Sequence, residues 1–256
     1  IRLSLVGSEM CIRDRSWTLA YEGYVPAQEG LRESLCALGN GYFVTRAAAP
    51  DSIADDVHYP GTYLAGGYDR LVTEIAGREI ENEDLVNLPN WLPLVLRIDD
   101  GDWLRPDAVE MLDYRQELDL RQGVLLRTLR FRDAENRTTR WQERRFVSMR
   151  DRHLAGLAVS ITAEDWSGRV TLRSALDGTV INHGVERYRE LNGRHLETIA
   201  TSQAADDVIF LQSRMVQSRR EIALAGRTRC YRNGREIEPQ RRTDHQRDLV
   251  AQELTT

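Results

Sequence analysis

The sequence predicts an all-β fold, a large antiparallel β-sandwich that forms a single domain. After about residue 120, four consecutive segments alternate apolar and polar residues, and no helical pattern interrupts them. Turn signals rich in glycine, asparagine or charged residues separate these segments. The chain has 256 residues, 41% of them hydrophobic, which is enough to bury one core of sandwich size.

Composition and charge exclude several function classes. The formal net charge is -5, so the chain lacks the overall basic field with which nucleic-acid-binding proteins neutralise phosphates. No stretch approaches the roughly 18 apolar residues of a membrane-spanning helix. Three cysteines at unrelated spacings form neither a disulfide framework nor a zinc pattern. We therefore expect a cytoplasmic protein with neither a nucleic-acid nor a membrane partner.

The first fifteen residues resemble a translated sequencing-adaptor tail rather than native protein sequence. We expect residues 1–15, including Cys11, to lie outside the domain. The alternative is a genuine short strand near Leu3 to Val6. On the first interpretation, the domain extends from residue 16 to residue 256.

From residue 16 to about residue 107 the sequence is rich in loops. Five of the seven prolines occur by Pro93, together with several glycines, and they predict short strands interrupted by long turns. Loops of this kind commonly carry function.

The remaining chain predicts a series of antiparallel strands. In the first, Leu129 and Phe131 share one face, as in a sheet with one wet surface. Residues 134–136 predict a hairpin connection to the next strand, in which Trp141 and Phe146 cannot share a face without a bulge or break. Further turns include Asn233-Gly234. The predicted strands are 127–132, 138–149, 154–162, 168–176, 195–201, 208–212, 222–225 and 249–256.

A search for catalytic motifs is mostly negative. The sequence has no Gly-rich phosphate loop, zinc-protease helix motif, nucleophile elbow or dinucleotide fingerprint. Five histidines lie at scattered positions, so we predict no metal site. The acidic stretch 79–84 can supply a carboxylate pair for glycoside cleavage, but a solvated loop is the preferred interpretation. We therefore assign no catalytic residue and no cofactor.

Two loops combine aromatic rings with amides and glycines, at residues 60–68 and 87–93. Aromatic rings stack on the apolar face of a sugar, while amides donate to and accept from its hydroxyls. The alternative is that the same side chains anchor contacts with another domain. The candidate residues for substrate binding or interdomain contact are Tyr63, Asn87, Asn90 and Trp91.

Three ordered motifs carry a family resemblance: E-S-L-C-A-L-G-N-G-Y from Glu33, P-G-T-Y from Pro60 and N-L-P-N-W from Asn87. Together with Trp17 and Tyr21 to Tyr24, they resemble the opening of family 65 glycoside hydrolases of the maltose, trehalose and kojibiose phosphorylase type. The clear match covers about residues 16–103. Cys36 replaces the aromatic residue that is usual in the first motif.

The resemblance implies an amino-terminal, supersandwich-like β-domain, followed in such proteins by a helical linker and a catalytic (α/α)6 barrel. We expect this chain to be truncated before the linker. Such enzymes invert configuration: a barrel Glu protonates the glycosidic oxygen, and inorganic phosphate, the co-substrate, attacks the anomeric carbon. The implied partners are the barrel and a disaccharide, and a homodimer is left open. The chain alone is then expected to be inactive.

Two other function classes remain open on the sequence. One is a stand-alone carbohydrate-binding module. The other is a small aldose epimerase on a similar sandwich, with His153, His183 and Glu186 as its candidate residues.

Overall fold

The structure, a computed structural model, describes residues 17–183 and 190–256. The predicted tail 1–15, Cys11 and Glu186 therefore lie outside the described residues. Within them the chain forms nineteen strands, one α-helix, α1 at Pro26–Leu35, and a 3-10 turn at Pro106–Ala108. The strands are β1 Thr18–Glu22, β2 Leu38–Gly39, β3 Phe43–Thr45, β4 Thr62–Leu64, β5 Tyr68–Ile75, β6 Arg78–Leu85, β7 Leu94–Ile98, β8 Glu110–Asp119, β9 Val124–Arg132, β10 Thr138–Val147, β11 Ala155–Ala163, β12 Val170–Asp177, β13 Leu196–Ala205, β14 Val208–Met215, β15 Glu221–Arg227, β16 Cys230–Arg232, β17 Arg235–Ile237, β18 Gln240–His245 and β19 Leu249–Thr255.

Three sheets form most of the sandwich, which confirms the predicted fold class. Sheet A has the strand order β1-β8-β9-β10-β11, sheet B the order β18-β19-β12-β7, and sheet C the order β13-β14-β15. Every pair within these sheets is antiparallel. Antiparallel pairing throughout is the architecture that the sequence predicts.

Sheets A and C both pack against sheet B. Leu172 of β12 joins a cluster with Leu129 and Trp141 of sheet A, whereas Leu176 joins one with Leu211 of sheet C. Residues four apart on a regular strand point to the same side, so sheets A and C cover neighbouring parts of one face of sheet B.

The predicted strands of the second half are confirmed, with small changes at their ends. The Asn233-Gly234 turn joins β16 to β17 with positive φ at both residues (51° and 76°), as a type I′ hairpin requires. Strand β10 pairs with both neighbours without a register shift. Trp141 points inward and Phe146 outward, so the strand needs no bulge.

Helix α1 was not among the predicted elements. Pro26 lies at its first position, where a missing N–H costs nothing. Its buried residues, Glu29, Arg32 and Glu33, have helical spacing but are charged. A search for apolar periodicity therefore finds no helix here.

The acidic stretch 79–84 is not a loop, and that prediction was wrong. It lies in β6, which pairs with β5 along eight residues to form a two-stranded sheet. The side chains at alternate positions of β6 point to solvent, namely those of Glu79, Glu81 and Glu83. On this exposed side, Arg70 forms an ion pair with Glu83 at 3.0 Å. Strand alternation, rather than a solvated turn, thus explains the spacing of these carboxylates.

We predict that Gly30→Ala destabilises the fold, although alanine is the better helix former. A Cβ at Gly30 would lie 2.4 Å from the backbone oxygen of Val57, which is too close for van der Waals contact. Because the clashing atom belongs to the backbone, the helix or the chain around Val57 would have to shift. The expected loss is about 1–3 kcal/mol in the free energy of unfolding, measured by urea denaturation. Leu31→Ala, at an exposed position of the same helix, is the control and should change little. An unchanged or higher stability of Gly30→Ala would contradict the packing of α1 on Val57.

Candidate functional site

Helix α1, in which the first motif begins, is held by polar contacts on its buried face. Glu29 accepts hydrogen bonds from Arg32 Nη1 and from the Tyr114 hydroxyl of β8, both at 2.9 Å. Burial raises the pKa of the Glu29 carboxyl, against the lowering effects of Tyr114 and Arg32. Burial likewise raises the pKa of Tyr114. The helix is thus fixed to sheet A by polar contacts.

Glu33 connects the first motif to the second. Its carboxylate contacts His58 Nδ1 at 2.8 Å and accepts from the backbone N–H of Tyr59 at 3.0 Å. The hydrogen bond with Glu33 raises the pKa of the His58 imidazole. Arg46 adds a second link, donating to Ser34 Oγ and to the Tyr59 carbonyl (2.6 and 2.8 Å). Glu33 and Arg46 therefore hold the segment that leads to Pro60.

The second and third motifs lie side by side. The backbone N–H of Thr62 donates to Asn87 Oδ1 at 3.0 Å, and the Leu88 N–H donates to the Thr62 carbonyl at 2.8 Å. Asn87 Nδ2 donates to the carbonyls of Pro60 and Ile181, both at 3.3 Å. Asn87 is only 2% exposed, so its amide is engaged within the fold.

The other candidate residues occupy different surroundings. Tyr63 follows Thr62 in β4 and is half-buried, and burial raises the pKa of its hydroxyl. Asn90 forms a bridge with Asp177, and its Oδ1 accepts from the Leu92 N–H. Trp91 packs against the cluster between sheets B and C. The structure thus places Tyr63 next in sequence to Thr62, the partner of Asn87. It directs Asn90 and Trp91 towards sheet B. The sugar-binding or interdomain role of all four stays a prediction.

A buried charged network lies beneath these motifs on sheet A. Arg127 donates to Asp51 Oδ1 (2.6 Å) and to Glu143 Oε2 (3.0 Å). Arg145 donates to Glu143 Oε1 (2.5 Å) and to the Ala48 carbonyl (2.9 Å). Burial lowers the pKa of the Arg127 guanidinium. The nearby carboxylates of Asp51 and Glu143 raise the pKa by more, so the net effect is a raised pKa. The two arginines therefore share one fully buried carboxylate.

This network was not predicted, although the sequence holds a signal for it. Glu143 and Arg145 alternate with the same period as Trp141, and Arg127 lies two residues before Leu129. Strand periodicity places all of them on the buried face. Charged residues on such a face indicate pairing, because an unpaired buried charge is costly.

A second polar centre involves His195, which is 1% exposed. Its Nε2 lies 3.0 Å from Asp84 Oδ2 and its Nδ1 lies 3.4 Å from Asp69 Oδ2. Asp69 also accepts from the backbone N–H of Ser218 at 2.7 Å. These contacts attach the β5–β6 hairpin to sheet C.

The end of the first motif holds the connection between β10 and β11, residues 148–154. Asn40 Nδ2 donates to the carbonyls of Ser148 (2.7 Å) and Arg152 (3.1 Å). The Tyr42 ring packs edge-on against His153, with centroids 4.6 Å apart. The loop is therefore positioned by the motif, while its own side chains stay exposed.

The proposed epimerase residues do not form one site among the described residues. His153 packs on Tyr42, whereas His183 packs on Tyr59 with ring centroids 4.3 Å apart. Glu186 lies outside the described residues. In the described ranges, no group of three or more potential ligands is placed to hold a metal ion. Among the described residues, His153 and His183 thus lie apart, each against a different tyrosine.

Comparison with known proteins supports the motif-based assignment. The model for the glycosyl hydrolase family 65 N-terminal domain matches residues 19–256. An uncharacterized glycosyl hydrolase of Mycobacterium tuberculosis is 48% identical over 229 residues, which are 90% of this chain and 17% of that protein. A trehalose 6-phosphate phosphorylase of Lactococcus lactis is 30% identical over 217 residues, 84% of this chain and 27% of that protein.

A third relative and a solved structure agree with this picture. A kojibiose phosphorylase of Caldanaerobacter subterraneus is 28% identical over 87% of this chain and 27% of its own length. A structure titled "Putative kojibiose phosphorylase from human microbiome" matches with a TM-score of 0.78 at 19% identity, over 94% of this chain and 30% of that one. The chain thus spans about a quarter or less of the curated relatives. Among the described residues, no helix is long and apolar enough to span a membrane.

We predict that Glu143→Gln destabilises the domain strongly, because Arg127 and Arg145 lose the buried negative charge between them. Removing one partner of a buried ion pair typically costs about 3–5 kcal/mol. Urea unfolding measures the loss. Glu164→Gln, which removes the exposed partner of Arg130 and Arg140, is the matched control and should change little. Equal effects of both substitutions would show that the buried network is energetically unimportant.

The His58–Glu33 contact predicts a pH dependence of stability. Because the pKa of His58 is raised above its ordinary value of 6.5, the folded state binds this proton more tightly than the unfolded state. The resulting stabilisation is fully present below about pH 6.5 and is lost as the pH rises through the raised pKa. Unfolding of the original chain and of His58→Gln should therefore differ most at about pH 5.5, with the gap closing at higher pH. His153→Gln, on the exposed loop, is the control. A gap that is constant or widens with pH would contradict the assignment.

Proposed function

The chain belongs to the glycosyl hydrolase family 65 N-terminal domain family, and we propose that it is the non-catalytic domain of an inverting α-glucosyl disaccharide phosphorylase. In this proposal, it packs against the catalytic domain of the same polypeptide and supports it. The enzyme is cytoplasmic and uses inorganic phosphate as co-substrate.

The single observation that carries the proposal is that the region matched by this chain makes up only a small part of each relative's length. Relatives named as kojibiose and trehalose 6-phosphate phosphorylases contain the matching region in only 27% of their length. Most of each enzyme therefore lies outside this region, with room for the catalytic machinery.

The chemistry of the described side chains is consistent with a supporting role. Phosphorolysis with inversion needs a carboxylic acid that protonates the glycosidic oxygen while phosphate attacks the anomeric carbon from the opposite face. The buried carboxylates around the motifs, Glu29, Glu33 and Glu143, are instead held by arginine, histidine, tyrosine or backbone donors. They stabilise the joint between α1, sheet A and the motif loops. We assign no step of the reaction to them.

The four candidate residues fit this role in two ways. Asn87 and Asn90 bond to the fold itself and thereby position their loops. Tyr63 and Trp91 are both half-buried. Trp91 packs against the cluster between sheets B and C, so only the exposed part of each side chain can face the catalytic domain or a disaccharide.

We predict that the chain alone does not catalyse phosphorolysis. Incubated with maltose, trehalose or kojibiose and inorganic phosphate, it should release glucose 1-phosphate only at the background rate, whereas the longer polypeptide that contains it should turn over one of these disaccharides or a close analogue. Isothermal titration calorimetry of the chain with the same sugars should give no binding heat.

Two results would overturn the proposal in different ways. Release of glucose 1-phosphate by the chain alone would place the catalytic residues within it. Measurable sugar binding without turnover would favour a stand-alone carbohydrate-binding module. A supporting role further predicts that the catalytic part, expressed without this domain, regains activity when the chain is added in trans.

A further inference from the structure

Helix α1 buries its charged residues and exposes apolar ones. All three of its charged side chains, those of Glu29, Arg32 and Glu33, are buried. On the other side of the helix, Leu31 and Leu35 are 61% and 51% exposed and lie four residues apart, on one face. A helix at the surface of a globular protein normally has the reverse arrangement, with apolar residues inward and charged residues in water. The exposed side with Leu31 and Leu35 is termed the α1 face below.

The segment that contains α1 exposes no charged residue. Every exposed position between residues 25 and 44 is an alanine, glycine, leucine, proline, serine or valine. In the whole chain 29% of the residues are charged, so this segment departs clearly from an ordinary solvated surface. Depletion of charged residues is typical of the core of an interface between proteins or domains.

The α1 face is held in place by the contacts beneath it. Arg46 donates to Ser34 Oγ (2.6 Å) and to the Gly30 carbonyl (3.0 Å). Glu29 and Arg32 form a buried ion pair at 2.9 Å. A preformed surface loses little conformational freedom when it binds, which lowers the free-energy cost of docking. The polar contacts of the helix thus present its leucines in a fixed arrangement.

We propose that the α1 face docks on an apolar surface of the catalytic domain in the same polypeptide, an inference that rests on the proposed function. The region matched by this chain makes up only 27% of the length of the phosphorylase relatives, so most of such a polypeptide lies outside this domain. Burying Leu31 and Leu35 against an apolar partner removes both side chains from water and thereby stabilises the contact.

The size of the α1 face favours a partner on the same polypeptide over a separate molecule. A helix of ten residues is about 15 Å long and about 10 Å wide. Specific interfaces between separate proteins bury at least about 1,200 Å² in total, which is more than one such helix face supplies. A tethered partner can dock on a smaller surface, because the covalent link gives it a high effective concentration. A second copy of the chain lacks this advantage.

Thiol labelling tests whether the α1 face is covered in the longer polypeptide that contains this domain. Leu31→Cys should react rapidly with a maleimide in the chain alone. In the longer polypeptide it should react at least about tenfold more slowly, because the reaction then requires local opening of the interface. The unmodified proteins give the background, to which the buried Cys36 and Cys230 should add little.

Val72→Cys is the matched control for this measurement. Val72 is 53% exposed, but it lies opposite Glu81 on the charged side of the β5–β6 hairpin. Its labelling rate should therefore be the same in both proteins. Equal rates for Leu31→Cys in the two proteins, or equal slowing at both positions, would overturn the proposal.

A charge placed on the α1 face should undo the docking. In the longer polypeptide, adding Leu31→Glu to the Leu35→Cys variant should bring its labelling rate to within about twofold of the rate in the chain alone, because a carboxylate loses its hydration in an apolar interface. Adding Val72→Glu instead is the control and should leave the labelling slow. Urea unfolding of the chain alone checks that Leu31→Glu still folds. Slow labelling that persists with Leu31→Glu would overturn the proposal.

The labelling rate does not depend on turnover, so the two proposals can fail separately. A covered α1 face in a longer polypeptide that does not catalyse phosphorolysis would contradict the proposed function. An uncovered α1 face in an active phosphorylase would contradict the docking and leave the proposed function standing.

Discussion

The buried carboxylate of Glu143, shared by Arg127 and Arg145, is the interaction on which the rest of the structure depends. A charge inside a sandwich is tolerated only when partners compensate it, and these partners come from strands β9 and β10, with Asp51 added from a loop. A slip of one residue between β9 and β10 would move the charged side chains of one strand to the solvent face. Their partners on the other strand would then remain unpaired in the core. The network therefore fixes the register of sheet A more strictly than apolar packing alone.

The three motifs of the first half are linked by hydrogen bonds to one another and to the backbone beside them. Glu33 holds the backbone at Tyr59, and Asn87 holds it at Thr62, so residues distant in sequence form one joint. The same joint positions the loop 148–154 through Asn40. The three motifs thus act together as one architectural unit within the domain.

Much of the fold could be predicted because strands with one wet face alternate visibly, as at Leu129 and Phe131. Helix α1 could not, since the side chains it buries are charged and carry no apolar period. The candidate site was predicted only in part. The composition of its loops indicated Asn87. The partners of its amide are Thr62 and Pro60, 25 and 27 residues earlier, and Ile181, 94 residues later, and local patterns do not contain such information.

The position of β19 in the middle of sheet B has a consequence for the order of events during synthesis. All five strands of sheet A are present once residue 163 has been translated, whereas β12 and β18 lack the strand between them until residue 255 follows. Apolar residues of sheet C that pack with Val250 of β19, such as Ile209 and Leu211, must wait for that last strand. Pairing across such separations is slow and leaves intermediates exposed to aggregation. We therefore expect the contact between sheets B and C to close last.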